Sequence, residues 1–295
     1  MPKHQRTLQS HGRNSKVYVP IIKLIFKEKF KPDLLTIDFT LDEVRAACEA
    51  LGIISRNPAD VIYRMRARTK LPQEVLDAGF FILRQVGRGM YRLEKGESTL
   101  LDVPPHEVND ALDLTPLPVR RLFPVELAEI DEQGLLSVVG YCKLIDHFTG
   151  LQVYRLRSHV RKSVAGIGQA ELDEIDVGVA LRDDETPVIF PIEAKAADEA
   201  VNRVQIAAQV QYCREYFPGH EIRPLAIKLD YESVIHFLEF NPTSIPADLK
   251  VERSAGYRLK LSDQHQRFFA EASDRLAVRA AEALRTPDEA DSDSN

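Results

Sequence analysis

The sequence predicts a mixed α/β protein, in which a small unit of helices and one hairpin precedes a larger unit built on a mixed β-sheet flanked by helices. Amphipathic segments of helical period alternate with short apolar runs of strand character. Residues 1–95 carry 18 Lys and Arg against 10 Asp and Glu, a net charge of +8, whereas the remainder carries −14. Prolines gather in residues 96–124, between these two parts. We therefore expect a basic module joined to an acidic one, and 295 residues suffice for two cores.

Helix caps and turn glycines place the elements of the basic module. Thr40 and Asn57 each precede a segment of helical period and predict helix starts there. Gly87 and Gly89 separate two apolar runs, which predicts a hairpin. In order, we expect a flexible polar arm over 1–15, a helix over 17–30, a strand over 34–39, helices over 41–51 and 58–70, and hairpin strands over 80–86 and 90–94.

This order of elements resembles a winged helix-turn-helix domain, here over residues 16–95. The resemblance implies that the 58–70 helix is the recognition helix and contacts duplex DNA. Its apolar stripe would be Val61, Ile62 and Met65, which leaves the basic side chains for phosphates or base edges. A solvated basic face and a protein-docking use of the fold are the alternatives, but the concentration of basic charge in this module favours DNA. The candidate DNA-binding residues are Arg56, Arg64, Arg66, Arg68, Lys70 and, at the wing tip, Arg88.

The acidic part of the chain predicts a linker, a second domain and a tail. The prolines of residues 96–124 predict a linker with at most short helical pieces. Residues 286–295 predict a disordered acidic tail. The second domain, over 125–285, is expected to contain a helix within 126–148, strands over 152–162, 169–181 and 187–196, a helix over 198–217 begun by Asp198, strands over 221–229 and 234–240, and a final helix over 263–284.

One spacing carries the functional argument: Asp176 is followed, after sixteen residues, by Glu193-Ala194-Lys195 inside an apolar run. Residues two apart on a strand share a face, so Glu193 and Lys195 point the same way. Pairing of the two strands as a hairpin is expected to bring Asp176 beside Glu193. Two carboxylates and an ammonium group are expensive to bury together, which indicates a functional site. Two carboxylates and a backbone carbonyl suit Mg²⁺, so the expected chemistry is metal-assisted phosphodiester hydrolysis.

The set of Asp176, Glu193 and Lys195 resembles the PD-(D/E)xK nuclease superfamily, loosely over residues 126–240. Ile175 stands where the family name has proline. The resemblance implies a restriction-endonuclease-like fold, Mg²⁺ on Asp176 and Glu193 with Mn²⁺ as a substitute, and products with 5′-phosphate and 3′-hydroxyl ends. Lys195 would orient or deprotonate the attacking water, or neutralise charge on the phosphoryl group. The alternative for the whole set is an exposed ion pair on an edge strand.

The resemblance also implies a glutamine from the following helix and a glutamate from the preceding one. Gln209 is the predicted glutamine, and Gln205, one turn earlier on the same helix face, is the second choice. Glu132 is the predicted glutamate, with an acid that merely favours the helix dipole as an equal alternative. Glu174 shares a strand face with Asp176 and is the main rival for its role. The predicted catalytic residues are Asp176, Glu193, Lys195, Gln209 and Glu132.

A stripe of basic residues lies on the predicted 152–162 strand. Arg155, Arg157, His159 and Arg161 occupy alternate positions, which places them on one face. The stripe either follows a phosphate backbone near the metal site or is a solvated face, and the sequence favours neither. His159 and His236 are expected to be structural.

Composition argues against several other classes of protein. No run reaches the apolar length of a membrane span and no signal-peptide pattern opens the chain, so we expect a cytoplasmic protein without a membrane partner. The isolated cysteines Cys48, Cys142 and Cys213 favour a reducing compartment over disulfides or a zinc site. A glycine-rich phosphate loop is absent from the sequence, which argues against a nucleoside triphosphate.

The expected function is that of a Mg²⁺-dependent DNA endonuclease acting on double-stranded DNA. A homodimer is expected, because one site per chain requires two copies to cut both strands. A restriction or phage-defence role suits a chain without helicase or ATPase motifs, with repair or resolvase activity also open. The alternative is a winged-helix DNA-binding regulator whose inactive nuclease-like domain senses a ligand or dimerises. The third candidate is a protein-docking adaptor.

Overall fold

A computed structural model describes residues 18–54, 57–67, 70–124, 126–164, 167–180 and 186–271. Over these ranges the chain is a mixed α/β structure with sheets of three, eight and two strands. This confirms the predicted fold class at the level of a mixed α/β chain with a large mixed sheet. The predicted flexible arm and the acidic tail lie outside the described residues. No helix within these ranges is both long and apolar enough to cross a membrane.

The basic N-terminal part folds around a three-stranded antiparallel sheet. The order of its strands is β1-β3-β2, and a cluster of buried side chains including Ile22, Phe39, Val61 and Phe80 joins the helices to the sheet. The predicted order of helix, strand, two helices and hairpin is found here, with one further short helix before the hairpin. The elements are α1 (18–29), β1 (Thr36–Thr40), α2 (Leu41–Ala50), α3 (Ala59–Ala67), α4 (Gln73–Asp77), β2 (Phe80–Gly87) and β3 (Met90–Lys95).

Local sequence explains two boundaries in this part. The Thr40 hydroxyl accepts a hydrogen bond from the Glu43 N–H (3.2 Å), and the Glu43 carboxylate accepts one from the Thr40 N–H (2.7 Å). This reciprocal capping box starts α2 where the sequence predicted it. Gly89, at φ 67°, turns the hairpin in a left-handed conformation that other residues rarely adopt.

Residues 96–124 are not the linker of at most short helical pieces that the prolines predicted. They form β4 (Leu100–Leu101), β5 (Val108–Leu112) and α5 (Leu117–Arg120). β4 pairs with a short strand, β9 (Val201–Asn202), and β5 forms one edge of the large sheet. The prolines of this segment fall outside β4 and β5, and Pro116 and Pro118 lie at the start of α5, where a missing N–H removes no intrahelical hydrogen bond.

The large sheet has the order β5-β13-β12-β11-β8-β7-β6, and β10 also pairs with β8. Its central strand, β8, is buried along its whole length. β8 pairs antiparallel with β7 and parallel with β11. The remaining elements are α6 (Glu132–Tyr141), α7 (Leu144–Thr149), β6 (Gln152–Val164), β7 (Gly168–Val179), β8 (Val188–Lys195), α8 (Arg203–Tyr216), β10 (Glu221–Ile222), β11 (Leu225–Leu229), β12 (Val234–Phe240), β13 (Val251–Lys260) and α9 (263–271).

Several elements differ from the sequence prediction, among them the strand predicted over 221–229, which is divided into β10 and β11. The helix predicted within 126–148 is interrupted at Lys143, whose φ of 54° separates α6 from α7. The helix predicted to begin at Asp198 begins at Arg203, because Val201–Asn202 pairs with β4 and Asn202 caps the helix. β13 was not predicted. Of the predicted final helix, 263–271 is helical and the rest lies outside the described residues.

The two faces of the large sheet have different apolar cores. One face carries α6 and α7, and packs Leu136 and Phe148 with Phe190 and Ile192 of β8. The other face carries α8, and packs Tyr212 with sheet residues such as Ile175 and Ile189. Alternation along β8, and along residues 174–178 of β7 that pair with it, therefore decides which helix each side chain meets.

We predict that Gly178→Ala destabilises the sheet, because its Cβ would lie 2.6 Å from the Phe190 ring and 3.0 Å from Leu151. Overpacking of this kind costs about 1–3 kcal/mol. Thermal unfolding measures the effect. The matched control is Gly140→Ala, in the exposed part of α6, where the new Cβ meets nothing within 4 Å and helix propensity improves by roughly 1 kcal/mol. Equal melting temperatures for the two variants would contradict the packing argument.

Candidate active site at the end of a buried strand

Glu193 and Lys195 lie at the C-terminal end of β8. Glu193 and Lys195 share a face, as the sequence predicted, and are 2% and 8% exposed. The Lys195 Nζ lies 2.7 Å from Glu193 Oε1 and 2.7 Å from Glu132 Oε1. Glu132 stands in the first turn of α6, so this ammonium group joins the central strand to a helix. The exposed ion pair on an edge strand, considered as an alternative, is not what the structure contains.

Helix α8 adds a glutamine to this cluster. Gln209 is fully buried, and its Nε2 donates to the Glu193 carboxylate and to the Glu171 carbonyl oxygen (3.3 Å). Gln205 lies one turn earlier and lines a cavity instead. The structure therefore places Gln209, the predicted choice, beside Glu193.

The expectation that strand pairing brings Asp176 beside Glu193 is wrong. β7 and β8 do pair, but their register sets Asp176 opposite Phe190 and Glu174 opposite Ile192. Because opposite residues share a face, Asp176 and its predicted rival Glu174 lie on the α6–α7 side of the sheet. The Glu193 side chain lies on the α8 side.

Asp173 is the β7 carboxylate that meets Glu193. Continuing the β7–β8 register by one residue brings Asp173 level with Glu193, and its Oδ2 accepts a hydrogen bond from the Ala194 N–H (2.9 Å). This role was not predicted, although Asp173 is one of several acids in the strand. The signal that would have found it is the register, which depends on the fit of distant residues.

His159 lies in the same cross-strand row. The β6–β7 register pairs Ser158 with Glu174 and Val160 with Leu172, which sets His159 opposite Asp173. Its φ of 51° is a left-handed conformation that is uncommon outside glycine, although Asn, Asp and His adopt it more often than other residues, and such conformations concentrate at functional sites. His159 was predicted to be structural, and its position opposite the Asp173 carboxylate was not foreseen. The row His159, Asp173 and Glu193 crosses three strands on the α8 side.

Burial dominates the electrostatics of the cluster. Desolvation raises the pKa of Glu193 to about 8, against the lowering effect of Lys195. Desolvation also raises the pKa of Asp173. Although burial opposes it, the carboxylates of Glu193 and Glu132 raise the pKa of Lys195. Lys195 is therefore an ammonium group, which excludes it as a base at neutral pH in this arrangement.

The donor set of the cluster suits a hard cation. Asp173 and Glu193 offer carboxylate oxygens on one face, and Mg²⁺ is commonly bound through one or two carboxylates with waters completing its shell. A cation here would stabilise the ionised form of Glu193, whose charge is costly at this depth. Among the described residues, no group of three or more His, Cys, Asp and Glu side chains is arranged to hold a metal ion. A site of this kind would thus depend on two protein carboxylates.

A second acidic pair lies on the opposite face of β7. Glu174 and Asp176 are 3% and 4% exposed, and Arg155 Nε lies 2.6 Å from Glu174 Oε1. Burial, and then the neighbouring Glu174, raise the pKa of Asp176 to about 8. Asp176 thus differs from Glu193 in its neighbours rather than in its pKa: Glu174 lies beside Asp176, whereas the Lys195 ammonium group lies beside Glu193 on the other face.

The predicted DNA-binding residues are only partly described. Arg56 and Arg68 lie outside the described residues, as does the side chain of Arg66. Lys70 and Arg88 are exposed. Arg64 is held by Asp60 (2.8 Å) and lies over the Tyr18 ring. Val61, Ile62 and Met65 are buried, which confirms the predicted apolar stripe of α3.

The basic stripe of β6 lies on an edge strand of the large sheet. Arg155 and Arg157 straddle a bulge, so the stripe does not stay on one face as predicted. Arg157 lies level with Ile175 on the α8 side. Arg161 lies level with the exposed Glu171 and alternates with the buried Ala170 and Leu172, which pack toward α8. Of the stripe, Arg157 therefore shares a face with the candidate site. The His236 ring is hydrogen-bonded to the His106 ring (2.9 Å) and to the Asp230 carboxylate (2.9 Å), and it lies away from this cluster.

Comparisons with known proteins give no relative for this chain: no protein-family model, no curated protein and no solved structure matches it.

We predict that Asp176→Asn changes the pH dependence of stability. The folded pKa of about 8 lies above the ordinary 3.8, so the folded wild type holds a proton that the unfolded chain releases between these values. Wild-type stability therefore falls as pH rises from about 4 to 8, by an amount of order a few kcal/mol at about 1.4 kcal/mol per pKa unit. The amide variant lacks this loss. Chemical denaturation across this range measures the free energy of unfolding of both proteins. The difference in favour of the variant should grow toward high pH, and a difference that does not change with pH would contradict the proposed protonation.

Proposed function

We propose that this chain is a metal-dependent DNA endonuclease, with Asp173, Glu193 and Lys195 as its central residues. The observation that carries the proposal is the buried row at the end of β8, where two carboxylates and an ammonium group meet Gln209 and Glu132. We also propose that residues 125–285 form a restriction-endonuclease-like domain and that residues 16–95 form a winged helix. The sheet order with its flanking helices, and the three-stranded unit with its helices, support these assignments.

The proposed mechanism assigns a role to each side chain. Asp173 and Glu193 would hold a magnesium ion, which when bound supplies Lewis-acid activation of the phosphoryl group and a more acidic water. The Lys195 ammonium group would stabilise negative charge that develops on the phosphoryl oxygens. Gln209 orients the Glu193 carboxylate, and Glu132 fixes the Lys195 side chain.

DNA would approach along the α8 side of the β6 edge. Arg157 faces that side, and positive side chains supply the sequence-independent part of DNA affinity. The proposed winged helix would contact the duplex through Lys70 and Arg88. Cutting of both strands would require two copies of the chain. A restriction or phage-defence role stays part of this proposal.

A DNA-binding regulator is the second candidate. It is favoured by the engagement of Lys195 with both Glu193 and Glu132, and by the absence of a three-residue metal cluster among the described residues. In that case the buried ion pairs would be structural, and the large domain would sense a ligand or dimerise.

We predict that Asp173→Asn lowers DNA cleavage by about 100-fold or more, the loss expected when a metal-holding carboxylate is removed. Asp176→Asn is the matched control, because it makes the same change three residues along the same strand on the opposite face. This variant should cleave within a few fold of wild type. Cleavage of plasmid and phage DNA with Mg²⁺, Mn²⁺ or EDTA measures both.

Lys195→Ala completes this test, and it should abolish cleavage while DNA binding persists. The three variants are first compared for folding by thermal unfolding, since Lys195→Ala leaves a buried carboxylate unpaired. Loss of activity in Asp176→Asn with retention in Asp173→Asn would reverse our assignment of the two faces. Wild type that binds one DNA sequence tightly and cleaves nothing would establish the regulator instead.

We predict that Lys70→Ala combined with Arg88→Ala weakens DNA binding with little dependence on sequence. Each phosphate contact contributes roughly 0.9 to the slope of log K against log salt, so two contacts should lower its magnitude by about 2. Fluorescence anisotropy over a salt series measures the slope. Lys260→Ala serves as the control, because Lys260 lies on β13, in the part of the large sheet away from β6, paired with Asp110 of β5. An unchanged slope in the double variant would remove these residues from the interface.

A further inference from the structure

A cavity lies between the N-terminal unit and the candidate nuclease domain. It has a volume of about 100 Å³ and is walled by α3 and β2 on one side and by β7 and α8 on the other. Four of its lining side chains are carboxamides, and one is an aromatic ring. They are Gln85, Gln169, Asn202, Gln205 and Tyr63.

The chemistry of this lining is unusual for a gap between two units. The Asn202 carbonyl oxygen already caps α8, and Gln85 Nε2 already donates to the Gly87 carbonyl oxygen (2.9 Å). Because a carboxamide has two N–H donors and one carbonyl acceptor without charge, the lining still offers donors and acceptors that match a neutral, planar group. Ile167 and Ala208 supply apolar surface, and the Tyr63 ring supplies a flat one. Nucleobases extracted from a helix are held in this way, by stacking on apolar or aromatic side chains and by hydrogen bonds along one edge.

The size of the cavity agrees with one such ring system. One water needs at least roughly 10–15 Å³ of such space, so about 100 Å³ admits several waters or one small planar ring.

The cavity adjoins the candidate site. Glu171 lines it, and the Glu171 carbonyl oxygen accepts from Gln209, which also donates to Glu193. Glu171 lies two residues before Asp173 on β7, about 7 Å away along the strand. Arg161 pairs with the Glu171 carboxylate at 3.0 Å, which sets a guanidinium group beside the cavity where a backbone phosphate can bind.

We infer that this cavity binds a single unstacked nucleobase, held by the carboxamides of Gln85 and Gln205 and the ring of Tyr63. The inference deepens the proposed nuclease function, on which it rests, because it gives the enzyme a base-reading pocket next to the scissile phosphate. The shared chemistry is the nucleobase, which either belongs to the DNA strand being cut or to a free nucleotide that acts as a ligand. Gln205 thereby has a role distinct from that of Gln209.

The first arm of the test uses the Lys195→Ala chain bound to duplexes that carry 2-aminopurine at successive positions. Extraction of the base should raise its fluorescence several-fold at one position. Gln85→Leu and Gln205→Leu, each added to Lys195→Ala, should remove that rise while the chain remains folded. Gln73→Leu is the matched control, since Gln73 is an exposed glutamine on α4 outside the cavity lining, and it should leave the rise unchanged.

The second arm uses the wild-type chain with the four free deoxynucleoside monophosphates and measures the shift in melting temperature. A shift for one base that both leucine variants lose would assign the cavity to a free nucleotide. No fluorescence rise at any position, together with no shift for any nucleotide and intact DNA binding, would overturn the inference and leave a water-filled gap. Base extraction or nucleotide binding by a chain that cleaves no DNA would instead overturn the proposed nuclease and retain the pocket.

Discussion

The Lys195 ammonium group is the contact on which the rest of the site depends. It lies between Glu193 on β8 and Glu132 in the first turn of α6, so it connects the start of α6 to an interior strand of the large sheet. Removing one partner of a buried ion pair typically costs about 3–5 kcal/mol, because the remaining charge is left without water or a counter-charge. Gln209 and the Ala194 N–H then fix the carboxylates on either side. The same few bonds therefore hold the strand end in place and set the spacing of the candidate catalytic groups.

Sequence reasoning succeeded where the deciding rule is local. The shared face of Glu193 and Lys195 follows from the two-residue period of a strand. The choice of Gln209 followed from the family resemblance, and the helix turn placed Gln205 and Gln209 on one face. The register between β7 and β8 is not local. It depends on how Gly178 admits the Phe190 ring and on the length of the connection between the strands, and a shift of one residue moves every side chain to the other face. For this reason the hairpin was predicted correctly, whereas the carboxylate beside Glu193 proved to be Asp173.

Tertiary pairing explains the other departures from the predicted elements. Val201 and Asn202 have neighbours of helical character, but β4 offers them a strand partner, and α8 begins only after them. The proline-rich connection likewise supplies β4 and β5 to two different sheets. The N-terminal unit is consequently attached through paired strands and through packing of β2 near β7, and this attachment creates the carboxamide-lined cavity beside the candidate site.

The long β6 strand has a further consequence for how copies of the chain can meet. It exposes one row of backbone N–H and C=O groups at the sheet margin, and such rows invite strand addition by another molecule. Arg155, Arg157, Arg161 and Lys162 project from that margin, so two such strands brought together would oppose like charges. The basic side chains of β6 therefore disfavour pairing of this edge with a second copy of β6, while they favour binding of a polyanion. A symmetric pair of chains would have to join through a different surface.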